Sequence, residues 1–131
     1  MTPTPLVLSL SLCDYVIIEE GTGKASLIGC FNRLVVSTFP SSRDFFLAGE
    51  LTGGRGPGRL GVGITRPDTD ESILLLDTTA YFRDPLFVVR YITRVMDCSF
   101  PVPGRYAVVL SLDGEMVGQR TFEVTSGGGS S

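Results

Sequence analysis

The sequence predicts a single all-β domain, an antiparallel sandwich of about seven to nine short strands, and three observations carry that prediction. Sixteen glycines and eight prolines punctuate the chain roughly every ten residues, the spacing of turns between short strands. The stretches between them are rich in Val, Ile, Leu, Phe and Thr, and most alternate apolar with polar residues. No long segment repeats apolar residues at helical spacing. With 131 residues, 43% of them hydrophobic, the chain fills one core and is too short for two ordinary domains. A domain of this size buries roughly two thirds of its unfolded surface, so neither a disulfide nor a metal is needed to hold it.

Leu6 to Leu12 opens the series. Leu6, Leu8, Leu10 and Leu12 alternate with Val7, Ser9 and Ser11, the period of a strand and not of a secretory leader helix. No Lys or Arg precedes Lys24, so the expected location is cytoplasmic. No run approaches the roughly 18 apolar residues that span a bilayer. Tyr15 to Glu19 is the second strand, and Ala25 to Val36 is read as one long third strand. Asp44 to Thr52 and Leu60 to Thr65 are read as a hairpin that turns through Gly53-Gly54-Arg55-Gly56-Pro57-Gly58. Gly61 and Gly63 then share the face opposite Leu60, Val62 and Ile64, either for close approach of another group or on a twisted outer face. Ser72 to Ala80 and Leu86 to Val95 follow.

Arg105 to Leu112 and Met116 to Thr125 form the last hairpin, turning at Asp113-Gly114, a dipeptide suited to a type I′ loop. A strict two-residue loop pairs Leu112 with Glu115 and turns Phe122 away from the face of Tyr106, Val108 and Leu110. One bulge, or one more loop residue, brings Phe122 opposite Tyr106 and Met116 opposite Leu112, so a bulge is predicted. The domain is expected over residues 1–125, with the Gly/Ser stretch of residues 126–131 a flexible tail.

Phe100-Pro101-Val102-Pro103-Gly104-Arg105-Tyr106 has the composition of a sandwich corner: prolines end one strand, glycine turns the chain, and a tyrosine enters the next. Immunoglobulin-like sandwiches place a hydrogen-bonded tyrosine at such a corner, and a half-buried aromatic is the plainer reading.

The chemistry legible in the chain is sparse. There is no histidine and no tryptophan, which removes the commonest general base and the commonest zinc ligand. Glu19 and Glu20 are adjacent and point to opposite faces of a strand, so they make no carboxylate pair. Arg66-Pro67-Asp68-Thr69-Asp70-Glu71 gathers three acids, which either border a calcium loop or form a Pro-Asp turn, and the turn is preferred. The glycine-rich loop at Gly53 to Gly58 carries Arg55, with Arg59 just beyond it. If any anion binds, these two arginines are the expected contacts, although the Walker spacing is absent. No cofactor is expected.

Cys13, Cys30 and Cys98 are odd in number and show no C-x-x-C spacing. They are read as buried free thiols. A bridge from Cys13 to Cys30, or from Cys30 to Cys98, is the alternative, and a reducing cytoplasm opposes it. Phe45 with Phe46, Tyr81 with Phe82, and Phe87 near Tyr91 pose one question: neighbours on a strand cannot both face one core, so one of each pair is exposed or lies between layers.

Eleven basic residues against fourteen acidic ones give a net charge of -3. The basic residues are scattered, so neither nucleic acid nor a membrane is an expected partner. All but Lys24 are arginine, a bias that fits a high-GC bacterial genome.

Several segments together resemble a family of small bacterial proteins of unknown function. They are Leu12-Cys13-Asp14, then Glu20-Gly21-Thr22-Gly23-Lys24, then Ser26-Leu27-Ile28-Gly29 with Phe31, and then Phe39-Pro40. Phe100-Pro101-x-Pro103-Gly104-x-Tyr106 and Asp113-Gly114 complete a resemblance that runs from Leu8 to Val124. It implies a single immunoglobulin-like antiparallel β-sandwich and brings no activity and no catalytic residue with it. The function expected is that of a non-enzymatic accessory domain that binds a protein partner or its own copies. A binding module for carbohydrate, anion or calcium in the end loops is the alternative.

Overall fold

The computed structural model describes residues 5–127. They form ten strands and no helix: β1 (Leu6–Cys13), β2 (Tyr15–Ile18), β3 (Ala25–Ile28), β4 (Arg33–Val36), β5 (Ser41–Thr52), β6 (Gly56–Arg66), β7 (Glu71–Phe82), β8 (Val89–Phe100), β9 (Gly104–Leu112) and β10 (Glu115–Ser126). Two sheets make the sandwich, one ordered β1-β5-β8 and the other β4-β10-β9-β6-β7, while β2 and β3 pair with each other. Pairing is antiparallel throughout, save that β4 runs parallel to β10. In immunoglobulin nomenclature β1, β5 and β8 take the places of strands A, B and E, and β7, β6, β9 and β10 those of C′, C, F and G. The chain therefore has the immunoglobulin-like sandwich that its corner motif suggested.

Inner faces follow from the period of two. Leu47 and Leu51 of β5 meet Leu60, Val62 and Ile64 of β6, with Val108, Leu110, Phe122 and Val124 behind them, all at 2% exposure or less. At the corner end the Phe100 ring stands edge-on to Tyr106 at 5.0 Å and to Phe122 at 5.9 Å, and Phe45 stacks on Phe100 at 6.5 Å. The Tyr106 hydroxyl donates to the Val102 carbonyl at 2.6 Å, which completes a tyrosine corner at the entry to β9.

Three readings of the sequence need correction. The segment Ala25 to Val36 is two strands, because Gly29 takes a left-handed φ of 71° and the chain leaves β2 to join β10 four residues later as β4. A side chain at Gly29 would run into the Asp14 carboxylate. Second, β5 and β6 are not a hairpin, since they lie in opposite sheets. Leu47 and Leu60 enter the core from opposite walls instead of lying side by side. Gly53 and Gly54 make that crossing, the first donating its N–H to the Pro85 carbonyl at 2.9 Å and the second lying so close to the Phe82 ring that a Cβ would sit 2.6 Å from it. Third, the expected strand Leu86 to Val95 runs from Val89 to Phe100. Asp84 bends the preceding segment into a turn, its carboxylate accepting the Leu86 N–H at 2.8 Å.

The last hairpin has the predicted bulge. The register slips between Met116 and Gly118, and Phe122 faces Tyr106. Because Asp113 (φ 53°) and Gly114 (φ 87°) form a two-residue loop, Met116 faces Ser111 and not Leu112, whose partner is Glu115. Strand β10 extends through Ser126, and the Gly127 N–H donates to the Val36 carbonyl at 2.9 Å. The remainder of the Gly/Ser stretch, 128–131, lies outside the described residues. The sandwich edges are partly covered: Arg120 of β10 donates to the Leu10 carbonyl of β1, and Arg43 to the Val35 carbonyl of β4, each at 2.6 Å.

Candidate functional site

The most unusual surface is the β2–β3 hairpin. Tyr15 faces Ile28, Val16 faces Leu27, Ile17 faces Ser26 and Ile18 faces Ala25. Alternation therefore puts Tyr15, Ile17 and Ile28 on one face and Val16, Ile18 and Leu27 on the other, so the hairpin is apolar on both sides. Exposure of Tyr15 is 64%, of Ile17 53%, of Ile18 49%, of Ile28 45% and of Leu27 38%. The tip is a tight turn in which the Glu19 N–H donates to the Lys24 carbonyl at 2.8 Å, with Gly21 (φ 92°) and Gly23 (φ 71°) supplying left-handed backbone.

Two contacts hold the hairpin over the outer face of the β1-β5-β8 sheet. Arg90 of β8 donates to the Gly23 carbonyl at 3.0 Å, and the Tyr15 ring lies 6.4 Å from that of Phe46. Between hairpin and sheet runs a recess of about 400 Å³, with Lys24 and Leu27 on one side and Ala48, Arg90 and Ile92 on the other. The sequence reading found strands here and missed the surface. The available signal was Val16-Ile17-Ile18, an unbroken apolar run that a one-sided strand does not need.

The residues expected to carry chemistry are dispersed. Arg59 is committed to Asp77 on β7, its Nε at 3.1 Å and an Nη at 2.8 Å, and its backbone N–H donates to Asp113. Arg55 borders a different recess of about 300 Å³, whose rim includes the carboxylates of Asp113 and Glu115. The two guanidinium groups thus do not converge on one cradle. In the Arg66 to Glu71 segment, Asp70 turns the chain at φ 58° and Arg66 pairs with Glu71 at 3.0 Å. Among the described residues no group of three or more His, Cys, Asp or Glu is placed to hold a metal ion.

Of the aromatic pairs, the first two each bury one ring, while Phe87 is exposed and Tyr91 half-buried. Phe45 and Phe82 are buried at 2% and 1% exposure, while Tyr81 is 62% exposed. Phe46 is half-buried on the outer face, and Phe87 lies under the Arg83 guanidinium at 5.2 Å. Of the three thiols, Cys13 and Cys98 are buried and Cys30 is exposed, so the expectation of three buried thiols fails at Cys30. Cys30 sits where the chain leaves β3 for β4, outside both sheets. Burial pushes the Cys98 thiol up to about 12. The Cys13 thiol is also raised, by burial first and then by the neighbouring Cys30 and Asp14. Burial raises the Tyr106 hydroxyl, against the lowering effect of its bond to Val102.

A protein-family model matches residues 8–125, nearly the whole described chain. The chain belongs to the family of unknown function DUF6941. No curated protein matches this DUF6941 chain. Solved structures similar at low identity include the following two. One is an immunoglobulin-like protein from Pseudomonas aeruginosa, 14% identical, with 92% of this chain and 96% of that one aligned at a TM-score of 0.42. The other is the alkylpurine DNA glycosylase AlkC of Pseudomonas fluorescens, bound to DNA containing an abasic site analog. It is 12% identical at a TM-score of 0.46, over 88% of this chain and 30% of that one. The DUF6941 chain thus spans under a third of the glycosylase.

Proposed function

We propose that this DUF6941 chain is a non-enzymatic protein-interaction domain of the bacterial cytoplasm, and that it docks through the β2–β3 hairpin. The observation that carries the reading is the exposed face of Tyr15, Ile17 and Ile28, on a hairpin built outside both sheets of the sandwich. Contiguous apolar surface of this kind is where proteins bind one another, while scattered exposed apolar residues are ordinary. Arg90 and the Tyr15–Phe46 contact hold the hairpin in place, which lowers the entropy lost when a partner docks. Support for a non-enzymatic role comes from the chain's lack of histidine and from the described core, which contains no buried charged side chain. The free state of the three thiols is what a reducing compartment maintains, and the arginine bias supports a bacterial source. No helix among the described residues is long and apolar enough to cross a membrane.

Site-specific photo-crosslinking tests the reading. A benzophenone side chain at Ile17 is expected to yield a protein adduct in cells, and one at Leu75, also apolar and still more exposed on the edge strand β7, is not. Adding Ile28→Glu to the Ile17 probe should remove the adduct. Equal adducts at both positions, or none at Ile17, would overturn the hairpin assignment.

A further inference from the structure

The three cysteines do not stand in equivalent places, and Cys13 and Cys30 lie near each other. Leu12 and Phe31 form an isolated antiparallel bridge, and Tyr15 pairs with Ile28 in the adjoining hairpin. Cys13, the last residue of β1, and Cys30, in the link from β3 to β4, are the next positions from that bridge towards the hairpin. They are flanked by the bond from the Phe31 N–H to the Leu12 carbonyl at 2.9 Å and by the Asp14 N–H, which the Ile28 carbonyl at 3.0 Å and the Gly29 carbonyl at 3.2 Å share. The register on either side, Leu12 with Phe31 and Tyr15 with Ile28, places Cys13 opposite Cys30, and residues opposite each other on antiparallel chains have Cα atoms about 4.5–5.5 Å apart. Disulfides span Cα separations of about 4.4–6.8 Å, a range that includes such opposed positions.

The faces agree with this register. Leu12 belongs to the core, and Phe31 packs against it, its ring 5.9 Å from Phe45. One residue along each strand, Cys13 and Cys30 therefore turn to the outer face, and Cys13 is absent from the core cluster although fully covered. The rise that Cys30 imposes on the Cys13 thiol reflects the same proximity. Cys98 is buried on β8, and no cysteine is among the causes of its shift.

We propose that Cys13 and Cys30 form a thiol-disulfide modification site that takes low-molecular-weight disulfides. The exposed Cys30, as thiolate, attacks one sulfur of the small disulfide and expels one thiol, leaving a mixed disulfide on Cys30. The Cys13 thiolate then attacks Cys30 Sγ and expels the second thiol. One small disulfide is reduced to two thiols, the two cysteine thiols are oxidised to one Cys13–Cys30 bond, and two protons move from the cysteines to the departing thiolates. Excess small thiol reverses the sequence. The bridge closes the base of the β2–β3 hairpin, since both of its strands lie between the two cysteines.

The full-length chain treated with glutathione disulfide tests this. Trypsin cuts after Lys24 and Arg33, so the bridge joins peptide 1–24 to peptide 25–33. That pair is the expected product, with the intact mass falling by two hydrogens, and Cys98→Ala should leave it unchanged. Cys13→Ser is expected to stop the reaction at a glutathione adduct on peptide 25–33. Cys13→Ala serves as a second version of the same block should the serine variant fold poorly. A persistent glutathione adduct on Cys30 in the wild-type chain, or a link from Cys30 to Cys98, would overturn the proposal, as would three unmodified thiols.

Discussion

Tyr106-Ala107-Val108-Val109-Leu110 and Tyr15-Val16-Ile17-Ile18 are much alike as sequence: a tyrosine entering a strand of aliphatic residues. In the fold they have opposite fates. Tyr106 is 0% exposed and its hydroxyl is bonded to Val102, while Tyr15 is 64% exposed on a two-stranded ribbon. The difference is what stands opposite. Strand β9 lies between β10 and β6 and has the other sheet over its inner face, while β2 has β3 as its partner, touches β5 where Tyr15 meets Phe46, and has a recess behind its hairpin. Apolar content alone therefore does not bury a strand. Burial requires a second layer, and where that layer is incomplete the same residue types become a surface for something else.

The largest effect should come from attacking the buried side of this comparison. Phe100→Ala removes the ring that touches Phe45, Tyr106 and Phe122 and is expected to cost about 3–5 kcal/mol in urea unfolding at unchanged m-value. A loss under about 1 kcal/mol would mean the aromatic cluster is not the centre of the core.

Next comes alkaline pH. Cys98 is protonated in the fold until about pH 12, against an ordinary value of 9.0. The unfolded chain loses this proton first, so the stabilisation is complete below pH 9 and declines as the pH rises towards 12. The slope expected from this one group is about 1.4 kcal/mol per pH unit. Chemical denaturation of Cys98→Ala, compared with wild type across that range, should show the slope reduced by about that amount. Identical slopes would show that Cys98 is not what falls apart.

Tyr106→Phe keeps the ring and deletes the bond to Val102, leaving that carbonyl without its partner, and should cost about 1–2 kcal/mol. On the exposed side, Ile17→Glu with Ile28→Glu should change stability by less than about 0.5 kcal/mol per substitution. A larger destabilisation would show the hairpin to be part of the core, and would collapse the contrast between the two tyrosine strands.

Much of the sandwich was legible because burial on one face writes a period of two into the sequence, and glycine and proline mark where it stops. The predicted bulge in β10 illustrates this: only a slip placed Phe122 on the face of Tyr106, and the slip is there. Its exact place was not legible, since a loop extended by one residue and a bulge after Met116 satisfy the same pattern. The false hairpin from β5 to β6 failed for a related reason. A buried run that pairs beside its neighbour and one that packs across from it have the same composition, and only the path through Gly53 and Gly54 distinguishes them. The candidate site was nearly invisible, because exposure of Ile17 is a property of what does not cover it.

The sequence by itself determined an all-β chain, its turn at Asp113-Gly114 and its lack of histidine, because these follow from residue type and local spacing, and it left the tyrosine corner open against a half-buried aromatic. The tertiary structure alone decided which apolar strand remained outside the core, that Arg59 is tied to Asp77, and that Leu12 bridges Phe31 next to Cys13 and Cys30. Each of those depends on register between segments distant along the chain, and register is set by packing the whole sandwich at once.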